Sequence, residues 1–284
     1  GLFSERLADR QAVADQLRQA CEERGFFYIR DHRVPAALIE AVFAQSGRLF
    51  ALPELTKLAL DKALSQCNRG YEPLRAQRLE AGAPPDLKES FYIGDDLAAD
   101  DPRVLAGRFN QGPNQWPPGL PGFRETMMTY YQAAHALGCR LVRAMALSLS
   151  LPESYFDGYL TGASATLRLL HYPVQPPDPV PGEKGCGEHT DFGGLTLLLQ
   201  DDCGGLQVRD AAGNIVTTSL KLLVITAPPA GPRPTQSSTL AIGDDAGTRR
   251  VWSVNPDSNT VTVINAVTGV KVAEYAVGVS PRGI

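Results

Sequence analysis

The sequence predicts an α+β chain, with helices first, a strand-rich region next and a small all-β piece last. Three observations carry that expectation. Apolar residues in the N-terminal half recur at helical spacing. From about residue 163 they gather instead into short runs bounded by turn residues. A third texture begins after residues 227–237, APPAGPRPTQS, whose Pro-rich composition reads as a linker. A chain of 284 residues has room for one large domain or two.

Residues 5–24 read as a helix with Val13, Leu17, Ala20 and Cys21 on one face, and Gly25 is placed to cap it. Phe26-Phe27-Tyr28-Ile29 reads as a short buried strand. After Pro35 a second helix carries Leu38, Val42, Leu49 and Phe50. Residues 53–120 look loop-rich. The strongest helix follows, with Phe123, Met127, Tyr130, Ala134, Leu137, Leu141 and Ala144 alternating steps of four and three; that stripe is core packing. His135 beside it reads as a core or surface histidine. Ala165–Tyr172 and Gly194–Gln200 are strand-like, joined by the Pro-rich loop Pro173–Pro181. Gly204–Val208 reads as a turn and strand, with Ala211–Asn214 a hairpin tip. Beyond the linker lie four strand-like runs, Thr239–Ile242, Val251–Val254, Thr260–Asn265 and Val270–Ala276.

Composition narrows the function classes. The chain is 43% hydrophobic and 20% charged, ordinary for a folded protein. A net charge of −4 gives no electrostatic case for nucleic acid or for a membrane surface. No apolar run approaches the ~18 residues that span a bilayer. Five scattered cysteines without a CxxC pair suit reduced thiols and a cytoplasmic location. No charged-then-apolar leader opens the chain, and a start at Gly1 with an end at Ile284 reads as a fragment.

The chemistry concentrates in Gly187-Glu188-His189-Thr190-Asp191. On extended backbone, His189 and Asp191 leave the same face. An imidazole and a carboxylate so placed can take two adjacent positions on an octahedral divalent metal, and a third ligand would complete the facial triad of non-haem Fe(II) oxygenases. A bare HxD is also what a surface turn looks like. A zinc site from Cys186, His189, Asp191 and Cys203 is a further reading, with poor spacing for zinc.

The surrounding residues resolve that ambiguity. HTDFGGLTLLLQDDCGGLQV, residues 189–208, resembles the metal strand of the Fe(II)/2-oxoglutarate oxygenases of the isopenicillin-N-synthase-like family. ACEERGFFYIRDH followed by Val34-Pro35 resembles that family's N-terminal region. Lys88–Gly94 and Gly112–Pro117 resemble loops of its microbial members, and Leu167–Pro173 the strand before the iron site. The resemblance covers about residues 1–214. It implies N-terminal helices packed on a jelly-roll (double-stranded β-helix) core, with Fe(II) and 2-oxoglutarate as cofactors, O2 as co-substrate and a small organic molecule as substrate. It implies His189 and Asp191 as iron ligands and Tyr172 as the partner of the 2-oxoglutarate carboxylate. Leu170 replaces the asparagine that many relatives point at the co-substrate. His171, of opposite parity, should face away, and Arg33 stands where relatives have glycine. Tyr92 and Arg75 suit a pocket wall or ordinary packing equally well.

The family also implies a distal histidine and, shortly after it, an arginine followed by a serine. The four histidines are His32, His135, His171 and His189, so no histidine follows His189. Arg249 and Arg250 lie near the expected distance but in Arg-Arg-Val-Trp, which reads as the start of a strand. RRVWSVNPDSNTVTVINAVTGVKVAEYAVGVSPRGI instead resembles a YVTN-type β-propeller repeat. Arg282-Gly283-Ile284 restarts the inner strand about 42 residues after Leu240-Ala241-Ile242, a period typical of propeller blades.

The expected organisation is therefore 1–118, the oxygenase N-terminal region; 119–214, the long helix and a partial, truncated jelly-roll core; 215–237, a linker; and 238–284, a single four-stranded blade. The expected function is oxidation of a small substrate by O2 with release of succinate and CO2, impaired by the missing histidine and arginine. The alternative is a non-catalytic hybrid or interaction protein with an orphan propeller blade, whose exposed edges invite pairing with other chains, self-association included.

Overall fold

The computed structural model describes residues 1–80, 82–191 and 194–209, and beyond them the strands at 215–217, 222–226, 240–245, 248–255, 260–265 and 271–276. The chain divides into two compact units, Gly1–Ala227 and Pro228–Ile284.

In the first unit, α1 (Leu7–Glu23) buries Ala14 and Leu17. It ends where Gly25 adopts φ 77°, its N–H returning to the Ala20 carbonyl. A left-handed residue at that point closes the helix, and glycine takes it without strain. β1 (Phe26–Tyr28) follows, then α2 (Ala36–Phe50), which starts after Pro35 and buries Val42, Leu49 and Phe50. Arg33 sits between them at φ 62°, a left-handed conformation that costs a non-glycine residue about 1 kcal/mol. Its guanidinium lies over the Phe3 ring at 4.5 Å, which offsets part of that cost.

The region expected to be loop-rich holds more order than that. It contains α3 (Glu54–Leu58), β2 (Gly70–Glu72), β3 (Glu89–Ile93) and α4 (Pro102–Leu105). Lys88–Gly94, expected as a loop, is thus largely a strand, with Phe91 and Ile93 fully buried. Glu89 hides the alternation, because it is buried too and finds its partners far away in sequence.

α5 (Phe123–Ser148) is the common backing of the unit. Phe123, Met127 and Tyr130 pack with Phe91, Ile93 and Leu169, and the Phe91 and Phe123 rings meet edge to face at 6.0 Å. Further along, Leu137, Leu141 and Ala144 pack with Leu17, Leu195, Leu197 and Leu199. Burying each such leucine contributes roughly 2 kcal/mol. The predicted stripe and the buried face agree, apart from Ala134, which is only partly buried.

After α6 (Asp157–Leu160) come β4 (Leu167–His171), β5 (Leu195–Leu199) and β6 (Gln207–Arg209). The expected linker is corrected in its first half, where β7 (Ile215–Thr217) and β8 (Leu222–Thr226) belong to the first unit. The run Leu222-Leu223-Val224-Ile225-Thr226 is apolar because it is the centre of a sheet. Strand order is β1-β8-β5 in one antiparallel sheet and β2-β3-β4 in another, with β6-β7 a separate hairpin. The tip Ala211–Asn214 lies outside the described residues, as do residues 227–239.

The second unit is an antiparallel meander, β9 (Leu240–Asp245), β10 (Thr248–Asn255), β11 (Thr260–Asn265) and β12 (Lys271–Ala276), paired in sequence order. Four strands stand where four are expected. Arg249 and Arg250 lie near the start of β10, and the restart at Arg282–Ile284 lies outside the described residues.

Candidate metal centre

Strand parity on β4 sorts the nearby side chains. Leu169 and His171 leave the same face, Leu169 buried in the core and His171 at its edge, partly exposed. His171 Nδ1 lies 2.7 Å from Glu89 Oε1, and its ring stacks on Phe50 at 5.2 Å. It is therefore turned away from Tyr172, as its parity predicts. Tyr172, just past the strand, packs its ring on Gly185, where even a Cβ would come within 3.0 Å. Its hydroxyl bonds the Cys186 sulfur, and burial, then the charge of Cys186, pushes its pKa above the usual tyrosine value.

The loop that carries His189 is fastened from below. Leu87 N–H donates to the Lys184 carbonyl at 2.8 Å, and Gly187 N–H to Asp86 Oδ1 at 3.1 Å. Arg75 pairs with Glu183, whose side chain is buried. Arg75 is thus a tether of this loop rather than a pocket wall. Asp86 is itself held by Lys88, in a pair that solvent scarcely reaches.

His189 and Asp191 converge. Nδ1 of His189 lies 2.8 Å from the Gly187 carbonyl, so it carries the proton of the neutral ring and leaves Nε2 as the free lone pair. Nε2 faces Asp191 Oδ1 at 3.3 Å. The Asp191 carboxylate, then Cys186, pushes the imidazole pKa up to about 10, and His189 in turn lowers that of Asp191. The Thr196 hydroxyl on β5 adds a hydrogen bond to Asp191.

Two donors at about 2.1 Å from one ion and at right angles lie about 3 Å apart, so the observed separation suits adjacent positions on a divalent metal. No group of three or more His, Cys, Asp or Glu side chains is arranged to hold a metal among the described residues. The donors present therefore make a two-ligand seat and fall short of a triad. The zinc reading fails on geometry. Cys186 approaches His189 from the Nδ1 side, at 3.8 Å, and Asp191 from the Nε2 side, so one ion cannot touch both. Cys203 is exposed, with its N–H on Asp201.

Behind the site lies a polar wall that sequence reasoning missed. Glu72 accepts from Lys62, from Tyr92 at 2.9 Å, from Arg168 at 2.9 Å and from Ser90 at 3.1 Å. Tyr92 thus belongs to a buried network. Glu89 accepts from Lys57, Tyr71 and His171. The available signal is Lys88-Glu89 inside an otherwise apolar run: buried charges require partners. Asp86 and Thr196 carry no such local mark.

Known proteins resemble this chain. The family model for the non-haem dioxygenase N-terminal region matches residues 2–119, and that for the 2OG-Fe(II) oxygenase superfamily matches residues 163–227. The second match extends through β8, in agreement with the corrected linker. The 2-oxoglutarate-Fe(II) type oxidoreductase hxnY of Emericella nidulans is 49% identical over 208 residues, covering 72% of this chain and 60% of that protein. The 2-oxoglutarate-dependent dioxygenase citB of Monascus ruber is 43% identical over 209 residues, covering 70% of this chain and 61% of that one. The chain thus spans about 60% of the length of these curated relatives. Among solved structures, a full-length Neurospora crassa protein in complex with alpha-KG and 5-formyluracil superposes with a TM-score of 0.66 at 31% identity, over 81% of this chain and 70% of that one. The helices and paired sheets described above are accordingly a jelly-roll oxygenase architecture, Fe(II) and 2-oxoglutarate are its cofactors, and the chain belongs to the 2OG-Fe(II) oxygenase superfamily.

Proposed function

We propose that this chain carries the N-terminal region and part of the catalytic core of a dioxygenase that oxidises a small organic substrate with O2 and 2-oxoglutarate, releasing succinate and CO2. The observation that carries this reading is the convergence of His189 Nε2 and Asp191 Oδ1 at 3.3 Å. His189 and Asp191 would hold Fe(II), and Tyr172 would bind the far carboxylate of 2-oxoglutarate. Bound iron would supply O2 activation. The protein's part is to fix the imidazole through Gly187, the carboxylate through Thr196 and the loop through Asp86. With two protein ligands and no arginine in the family's position, turnover by this chain is strongly impaired. Its five free cysteines support a cytoplasmic location.

The test is an anaerobic titration with Fe(II) and 2-oxoglutarate, following the visible charge-transfer band of the chelate, with His189→Ala as control. A saturable band lost in the variant supports the assignment. No band would mean that two ligands do not suffice, and the site reading would fall.

A second reading has its own observation. Strands β9 and β12 of the meander have no further partner strand among the described residues, and Val272 on β12 is exposed. We read this meander as a YVTN-type propeller repeat joined to an oxygenase fragment, a non-catalytic hybrid in which free strand edges favour self-association. Sedimentation showing a concentration-dependent dimer without iron-dependent succinate would favour it; a monomer that forms succinate would exclude it.

A further inference from the structure

Beside the candidate centre, Lys88 Nζ lies 3.1 Å from Cys186 Sγ, across 98 residues of chain. The lysine side chain is almost wholly shut off from solvent, and Asp86 holds its ammonium at 2.7 Å. Asp86 is fixed in turn by Gly187 N–H, so the lysine is locked against the sulfur. The cysteine is only half-buried. Its other polar neighbours are His189 Nδ1 at 3.8 Å and the Tyr172 hydroxyl. Nothing in the proposed oxygenase chemistry uses this contact.

We propose that Lys88 and Cys186 are a redox-responsive pair that O2 converts into a covalent nitrogen–oxygen–sulfur bridge. The gap between the two atoms is one that a single oxygen atom spans with little motion. The thiolate and the ammonium combine with O2 to give Cys–S–O–NH–Lys and one water. One S–O and one O–N bond form as the O–O bond breaks. The ammonium gives two protons to the second oxygen atom, which leaves as water. Sulfur and nitrogen together lose four electrons and O2 gains four. Two molecules of hydrogen peroxide serve equally, leaving three waters.

The bridge ties the His189 loop to the segment before β3. It also removes the positive charge at Lys88 and strands the buried Asp86 carboxylate. The pair therefore couples oxidation to the loop that carries both candidate ligands, and does so whether or not the chain turns over.

The test is peptide mapping by mass spectrometry of the full chain, purified anaerobically with reductant and then held in air-saturated buffer or dilute hydrogen peroxide. The expected product is a linked pair of peptides containing Lys88 and Cys186, heavier than their sum by one oxygen less two hydrogens, about 14 Da, and separated again by dithiothreitol. Cys186→Ser abolishes it. Lys88→Arg should do the same, but Lys88 is buried, so Cys186→Ser is the primary control. Oxidation that stops at a Cys186 sulfenic acid trapped by dimedone, or a Cys186 that stays reduced under these conditions, overturns the proposal.

Discussion

Lys57 and Glu89 form an ion pair sealed inside the first unit: Nζ donates to Oε2 at 2.7 Å, with the two side chains 10% and 8% exposed. Lys57 also donates to the Phe50 carbonyl. The pair joins α3 to β3 and stands directly behind His171. Breaking a buried pair leaves an uncompensated charge, which costs more than losing both partners. Glu89→Gln is therefore expected to destabilise the unit by about 3 kcal/mol, and Lys57→Met with Glu89→Gln to recover part of that loss. Denaturant titrations of the single and double variants decide it. A double variant less stable than either single would contradict the argument.

The same network sets a pH dependence. Burial works against ionised Glu89 and Glu72, but donors outweigh it: Lys57, Tyr71 and His171 for Glu89; Lys62, Tyr92 and Arg168 for Glu72. Both folded pKa values thus lie below the ordinary value of 4.5. A depressed carboxylate contributes stability that is complete above its unfolded pKa and is lost as pH falls through the folded one. The denaturation midpoint should hold from neutrality to about pH 5 and fall below pH 4.5, more gently in Glu72→Gln.

Thr196 makes a prediction about metal affinity. Its hydroxyl holds Asp191 and its neighbours Leu195 and Leu197 pack toward α5. Thr196→Val keeps the shape and removes the hydrogen bond. Partners of metal ligands are commonly worth 10- to 100-fold in affinity, so Fe(II) should bind about 10-fold more weakly, with an unchanged circular dichroism spectrum. Anaerobic calorimetry measures it. Equal affinity would show that Thr196 does not orient the ligand.

The core can be probed on α5. Met127 is fully buried, and Met127→Ala should cost about 3 kcal/mol. Leu55 on α3 is 82% exposed, and Leu55→Ala should change stability by less than about 0.5 kcal/mol. Unfolding midpoints of the two variants separate core from surface.

What is legible in the sequence is what is local. The α5 stripe, the stop at Gly25, the start at Pro35 and the opposite facing of His171 and Tyr172 all follow from periodicity or backbone preference. The His189–Asp191 convergence follows from two-residue spacing and from resemblance. What is not legible depends on distant partners. β3 reads as a loop because Glu89 interrupts its apolar pattern, and its distant partners, among them Lys57, 32 residues earlier, and His171, 82 residues later, explain that charge. β8 reads as linker because its place is fixed by two strands that lie before it. Cys186 is an ordinary cysteine until Lys88 is set against it.

The position of β8 has a consequence for synthesis. Phe27, near the start of the chain, pairs with Val224, and β8 also carries β5 on its other edge. Among the described residues, the strand that pairs with β1 is thus made nearly 200 residues after it. At roughly 5–20 residues per second, β1 waits some 10–40 s on the ribosome. Late in that interval the apolar faces of α1 and α5 have been made without the strand that closes the sheet packed against them. This unit is built to fold late, and a nascent chain stalled before Leu222 would be a natural client for a holding chaperone.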